Sequence, residues 1–225
     1  MATEIERFAG DAGIPRASLF ERRDWLYAFM REHCFRDDTE RIAAALWPDG
    51  APTAGSRMVD VGCGPGTYTR GLASLHPGLE AIGIDRSPRQ LRRARERAHR
   101  DGVTNCRFDF GDALALPLAS CSADAVVAAR LLMVLRDPAR ALAEIHRVLR
   151  PGGRCFIAEP RPGIWTELPL AAMRIMAAGS GSDLDRLRAH DDAGWEALLA
   201  TQPWSRLERT DDRRYRYAVG ERAAA

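Results

Sequence analysis

The sequence predicts an α/β fold: a doubly wound sheet, mostly parallel, with helices on both faces, a C-terminal antiparallel hairpin and an N-terminal helical cap. Three observations carry that expectation. Strand and helix patterns alternate from residue 57 to residue 159, as crossovers feeding a parallel sheet require. The strand segments are apolar throughout, which suits strands covered on both faces. The last two strand segments are separated only by Thr210, Asp211 and Asp212, and so short a link joins antiparallel neighbours.

The elements follow in chain order. Phe20, Trp25, Leu26, Phe29 and Met30 recur at helical spacing, as do Ile42, Ala45 and Leu46. Trp47-Pro48-Asp49-Gly50, then Pro52 and Gly55, break that pattern. Strands are expected at 57–61, 79–85, 105–109, 123–129 and 154–159. Helices are expected at 68–75, 87–100 and 138–149. Ser87 suits the N-cap of the second helix and Pro88 its first turn. Pro151-Gly152-Gly153 is expected to end the third. The tail reads as a helix at 193–200 and strands at 204–209 and 213–219. Residues 161–190 stand outside the alternation, with Pro162-Gly163 and Gly179-Ser180-Gly181-Ser182 as hinges. The organisation is thus a cap at 1–50 and a ligand-binding domain at 51–225, with a lid inserted at 161–190.

Composition narrows the function. The 225 residues are 46% hydrophobic and 28% charged, enough to bury a core unaided. The net charge is only +2, and the arginines are interleaved with acids. The densest basic run, Arg86 to Arg100, reads as the solvated face of a helix. That argues against a nucleic-acid partner. Cys34, Cys63, Cys106, Cys121 and Cys155 are odd in number and include no C-x-x-C. Neither a disulfide framework nor a metal site is expected, and the chain suits a reducing cytoplasm. The N-terminus lacks a secretory pattern. No window approaches ~18 apolar residues, so no membrane span is expected.

The chemistry concentrates at Val59-Asp60-Val61-Gly62-Cys63-Gly64-Pro65-Gly66-Thr67. A strand enters a glycine loop and a helix leaves it, with the loop glycines allowing close approach of a ligand. A helix N-terminus adds a partial positive charge and N–H groups. A dinucleotide loop would read G-x-G-x-x-G, but its third glycine position is Thr67 here. The glycines fall at G-x-G-x-G. Asp60 stands just before them, where a pyrophosphate would find it repulsive and a free amino group would find it attractive.

This stretch resembles motif I of the class I S-adenosylmethionine-dependent methyltransferases, and most closely their small-molecule branch with the ubiquinone and menaquinone methyltransferases. The likeness continues through Gly83-Ile84-Asp85-Arg86-Ser87-Pro88, Gly111-Asp112-Ala113, Asp124 to Val127 and Ala139 to Gly153. It covers about residues 40 to 220, and its motifs are specific jointly rather than singly. The resemblance implies a Rossmann-like fold, S-adenosylmethionine as cofactor and methyl transfer to a small-molecule acceptor by direct displacement. It assigns Asp60 to the methionine amino group, directly or through water. Gly62, Gly64 and Gly66 would pass the methionine and ribose, and Asp85 would accept the ribose hydroxyls. Asp112 and the Ala113 N–H would face adenine, and Arg130 the sulfonium and carboxylate end. Cys63 and Arg86, beside these positions, complete the cofactor set. Alternatives stand for two of them: Asp85 as a helix cap, and Asp112 as a plain turn residue.

The chain departs from that family after strand four. Where many relatives carry a histidine or another aromatic residue, it has Leu132-Met133-Val134-Leu135. Such residues are either core or an apolar wall facing an apolar acceptor. Glu159 and His33 are the candidate general bases; Glu159 alternatively pairs with Arg161 or Arg130, and His33 with the surface. Trp25, Tyr27 and Trp165 either roof the site or pack. Two other functions compete: a non-catalytic S-adenosylmethionine-binding protein and a nicotinamide-dependent oxidoreductase. A homodimer is a further expectation, with the 161–190 segment packing on a second subunit.

Overall fold

The computed structural model describes residues 38–163 and 190–224. His33, Trp25, Tyr27, Trp165, most of the expected cap and nearly all of the expected lid lie outside these residues. The described elements run in the order α1 (Thr39–Leu46), β1 (Arg57–Val61), α2 (Thr67–Leu75), β2 (Glu80–Asp85), α3 (Pro88–Arg100), β3 (Cys106–Phe110), β4 (Ala123–Ala129), a 3-10 turn (Leu132–Val134), α4 (Pro138–Val148), β5 (Leu149–Pro160), α5 (Asp192–Leu199), β6 (Trp204–Asp211) and β7 (Tyr215–Arg222). The strands form one sheet in the order β3-β2-β1-β4-β5-β7-β6. Strands β1 to β5 pair in parallel, and β7 is antiparallel to both β5 and β6. This is the Rossmann-like doubly wound sheet that the sequence predicts.

The sheet is buried on both faces by alternate residues of the same strands. Val59 and Val61 of β1, Val126 and Ala128 of β4, and Cys155 and Ile157 of β5 pack with α4 and α5. Met58, Ala125, Val127, Phe156 and Ala158 face the other way, toward α1 and α2. Ile42 and Leu46 of α1 belong to this second core, which also includes Tyr215 and Tyr217 of β7. The edge strands depart from the expected all-apolar pattern. Strand β3 leaves Arg107 and Phe110 exposed, and β6 is largely exposed, because each has one neighbouring strand and thinner helical cover.

Other boundaries moved for physical reasons. Pro151-Gly152-Gly153 does not separate helix from strand. Strand β5 already begins at Leu149, and the register with β4 slips between Ala123 and Ala125, so the Pro-Gly-Gly run is absorbed as an irregularity of the strand. The hairpin turn falls at Asp212–Arg214 rather than at 210–212. Asp212 accepts hydrogen bonds from the N–H groups of Arg214 and Tyr215 at 2.8 and 2.7 Å, which fixes the turn there. No helix lies between β3 and β4 among the described residues; that crossover is a turn closed by an Asp112–Ala115 bridge.

Candidate functional site

Strand order reverses between β1 and β4, where the two halves of the sheet run outward in opposite directions. Ligands of open α/β sheets bind beyond the strand C-termini at such a point. The glycine loop, the turn after β4 and the end of β5 converge there.

Gly62, Gly64 and Gly66 have φ of 70°, 54° and 74°. Side-chain-bearing residues rarely take that left-handed conformation, so the G-x-G-x-G spacing is a backbone requirement. A Cβ on Gly62 would lie 2.7 Å from the Leu131 side chain, and one on Gly66 would lie 2.6 Å from Phe108. The N–H groups of the loop itself are engaged within the fold. Gly62 and Cys63 donate to Ile84 O at 2.7 and 3.1 Å, and Gly66 donates to Cys63 O at 3.0 Å. Gly64 donates to Asp85 Oδ2 at 2.8 Å, and Pro65 has no N–H. The loop spends its donors on itself and on β2.

Asp85 is the hinge of this arrangement. Its Oδ2 holds Gly64 and its Oδ1 accepts from Ser87 N at 2.8 Å. It therefore contributes to the helix entry, as the alternative reading held, while Ser87 Oγ accepts from Gln90 N as the N-cap of α3. Each carboxylate oxygen of such a group has two acceptor sites. Arg86, next to it, is exposed, and Cys63 is buried beneath the loop.

Asp60 is 2% exposed, and its Oδ2 accepts from Thr69 N at 3.2 Å and Thr69 Oγ1 at 2.7 Å. It ties β1 to α2. Asp112 is exposed; its Oδ1 accepts from Leu114 N at 2.9 Å, an Asx turn. Ala113, half-buried, sits in the same turn.

Arg130 follows β4 with φ 56°, one of two non-glycine residues with positive φ among those described. Its N–H donates to Ala158 O at 2.6 Å, which fixes the turn against β5. Its guanidinium reaches over the switch point and donates to Tyr68 Oη at 2.8 Å, with Cζ 5.3 Å from the Tyr68 ring centroid. It also hydrogen-bonds Tyr215, whose phenol burial pushes up to about 12. Neither tyrosine stood out in the sequence. The signal for Tyr68 was its place in the first turn after the glycine loop.

Glu159, near the end of β5, is 1% exposed. Its Oε1 accepts from Leu132 N at 2.8 Å, and the Met133 N–H also bonds the carboxylate, so Glu159 caps the 3-10 turn. Its Oε2 is buried with no hydrogen-bond partner among the described residues. Burial pushes the carboxyl up to about 7, although the two N–H groups and the charges of Arg130 and Arg216 pull the other way. The partner weighed from sequence, Arg161, instead pairs with Asp211 at 3.3 Å. Arg216, which sequence reasoning missed, is the cross-strand neighbour of Glu159 on β7 and is itself 1% exposed. An arginine in an alternating hairpin strand reads as solvent-facing; here α5 covers that face. Met133 is buried at 9% exposure, beside Leu131 and Leu132.

Residues 52–194 match the family described as "Methyltransferase domain". The chain belongs to that family. It is 33% identical over 168 residues to 27-O-demethylrifamycin SV methyltransferase of Amycolatopsis mediterranei, covering 70% of this chain and 59% of that protein. It is 38% identical over 122 residues to demethylmenaquinone methyltransferase of Thermus thermophilus, covering 54% of each. The chain spans about a third to three fifths of the length of the first several curated relatives. Among solved structures, a geranyl diphosphate methyltransferase in complex with S-adenosylmethionine shares the fold with a TM-score of 0.65 at 17% identity, over 82% of this chain and 84% of that one. The [4+2]-cyclase SpnF shares it with a TM-score of 0.65 at 21% identity, over 95% and 86%.

Proposed function

We propose that this methyltransferase-family chain binds S-adenosylmethionine across the β1–β4 switch point and transfers its methyl group to a small molecule by direct displacement. The observation that carries the reading is the glycine loop closed on Asp85 with its N–H groups spent. That surface suits a nucleoside held by a carboxylate and by close backbone contact. When bound, the cofactor supplies a methyl group on a positively charged sulfur. The chain supplies binding and orientation: Asp85 for the ribose hydroxyls, the Asp112–Ala113 turn and Arg86 for the adenine side, and Arg130 for the methionine carboxylate. Gly62, Cys63, Gly64 and Gly66 form the floor. Asp60 braces that floor through Thr69 and faces the methionine amino group, directly or through water. Much of the acceleration in such a displacement comes from alignment and exclusion of water.

The names of the relatives favour small-molecule acceptors, while Leu131 and Leu132 belong to the core rather than to an open apolar wall. Residues 1–50 and 161–190 flank the crevice in sequence and form the cover in this reading, the latter starting directly after β5. Among the described residues no helix is long and apolar enough to cross a membrane. A cytoplasmic homodimer is part of the same proposal. A cyclase on this fold keeps a second reading in view, a cofactor-binding chain that does not transfer methyl.

Calorimetric titration with S-adenosylhomocysteine, S-adenosylmethionine and NAD tests the assignment. Binding of the first two and not of NAD is expected; the reverse pattern would falsify it. Hydrogen exchange with cofactor and acceptor tests the cover, which predicts added protection in both 1–50 and 161–190.

A further inference from the structure

Consecutive residues in the first turn of α2 hold two side chains of opposite charge. Thr69 donates to Asp60 from its N–H and its hydroxyl, and Tyr68 accepts from Arg130. We propose that Tyr68 and Tyr215 are positioning residues, which hold the Arg130 guanidinium at the switch point so that it receives the carboxylate of the cofactor's amino-acid end. The inference deepens the cofactor-binding reading above and rests on it.

Backbone strain is the first observation behind it. Arg130 sits at φ 56°, a conformation that a residue with a Cβ adopts at a cost and keeps only where its neighbours enforce it. Here the N–H bond to Ala158 O at 2.6 Å enforces it. The second observation is the grip on the side chain. Arg130 Nη2 donates to Tyr68 Oη at 2.8 Å, and its Cζ lies 5.3 Å from that ring centroid. The guanidinium also hydrogen-bonds the Tyr215 side chain, from the start of β7. Both tyrosines are packed into the same core, at 2% and 5% exposure, whereas Arg130 is only half-buried. Two fixed phenols thus remove much of the rotamer freedom of a long side chain. The third observation is the chemistry of the grip. A phenol is neutral at ordinary pH, and burial pushes that of Tyr215 up to about 12. The phenols therefore orient the guanidinium without themselves cancelling its charge. Glu159, whose charge also acts on Arg130, is pushed up to about 7 by burial and is held by the turn after β4 instead.

The arrangement fits the end of an amino acid. Its ammonium and carboxylate hang from one carbon, so they call for an anion and a cation set close together. Asp60 lies in β1 and Arg130 follows β4, and these strands are neighbours in the sheet. Thr69 and Tyr68 tie the two groups to one helical turn, whose N-cap is Gly66 of the glycine loop. A planar guanidinium offers parallel N–H donors that match a carboxylate. Without a phenol hydroxyl, Arg130 keeps its charge and its backbone bond but samples more rotamers. The loss then falls on ligands that carry the carboxylate and spares those that lack it.

The test uses the whole chain and two ligands: S-adenosylhomocysteine, and S-adenosyl-3-thiopropylamine, which keeps the amino group and lacks only the carboxylate. Calorimetry gives the affinity for each. The wild type is expected to bind S-adenosylhomocysteine about tenfold or more tightly than the amine. Tyr68→Phe and Tyr215→Phe keep the rings and remove the hydroxyls. Each is expected to weaken S-adenosylhomocysteine about fivefold or more, and to leave the amine within about twofold. In an Arg130→Gln background the same changes are expected to leave any remaining preference unaltered, because they act through the guanidinium. Equal losses for the two ligands, or an undiminished preference, would make the phenols a brace between α2 and β7 only and overturn the proposal. A further selective loss in the Arg130→Gln background would overturn it too, as would a wild type that binds both ligands equally. A wild type that binds neither ligand defeats the underlying reading instead, so the two failures are distinct. Should one tyrosine variant not fold, the other carries the comparison.

Discussion

At the scale of the residue, several side chains in the site hold the structure and are proposed to hold the ligand as well. Asp85 binds Gly64 N and Ser87 N and is proposed to accept the ribose hydroxyls as well. Asp85→Ala is expected to weaken S-adenosylhomocysteine binding by about 2–3 kcal/mol, the worth of lost hydrogen bonds to a charged acceptor. A lower melting temperature with undiminished affinity would make it purely structural. Asp60 is committed through one oxygen to Thr69. Asp60→Ala is expected to weaken S-adenosylhomocysteine more than adenosine, because only the former carries the amino group. Equal losses for the two ligands would reduce Asp60 to a brace for α2. The sequence exposed both carboxylates by position, at the end of β2 and within β1. It could not show their internal partners, since Thr69 and Gly64 meet them only after folding.

At the scale of the element, the helices flanking the loop are locked by contacts from distant strands. Asn105, just before β3, donates from Nδ2 to the carbonyls of Ala73, His76 and Leu79 at 3.0, 3.1 and 2.9 Å, satisfying the end of α2. Asn105→Ala is expected to cost about 1–3 kcal/mol in chemical denaturation, with cofactor affinity little changed. A neutral substitution would mean that water takes over those carbonyls. Gly66, the N-cap of α2, sits at φ 74° against Phe108. Gly66→Ala is expected to cost about 1–2 kcal/mol for the left-handed backbone alone and to lower cofactor affinity by shifting the loop. An alanine variant with wild-type stability and affinity would show that the loop can relax around a methyl group.

At the scale of the molecule, Glu159 links stability to pH. Its folded carboxyl titrates near about 7, above the ordinary 4.5, so between those values the folded chain keeps a proton that the unfolded chain has released. The stability from this group is complete below the ordinary value and is lost as pH rises through about 7. The melting temperature of the wild type is therefore expected to fall relative to that of Glu159→Gln between pH 5 and pH 8. Parallel curves for the two proteins would show that Glu159 does not titrate in that window.

The sequence by itself determined the alternation of strands and helices, the terminal hairpin and the glycine loop, because these depend on apolar period, turn residues and backbone freedom within short stretches. It also marked Glu159 by its place at a strand end. Only the tertiary structure decided that the loop N–H groups face inward, that Tyr68 and Tyr215 grip Arg130, and that Arg216 is buried beside Glu159. Those facts depend on which strands become neighbours. Residues 159 and 216 are distant in sequence, and only the antiparallel pairing of β5 with β7 sets them opposite each other. Burial on both faces then removes the water that would otherwise leave their charges independent.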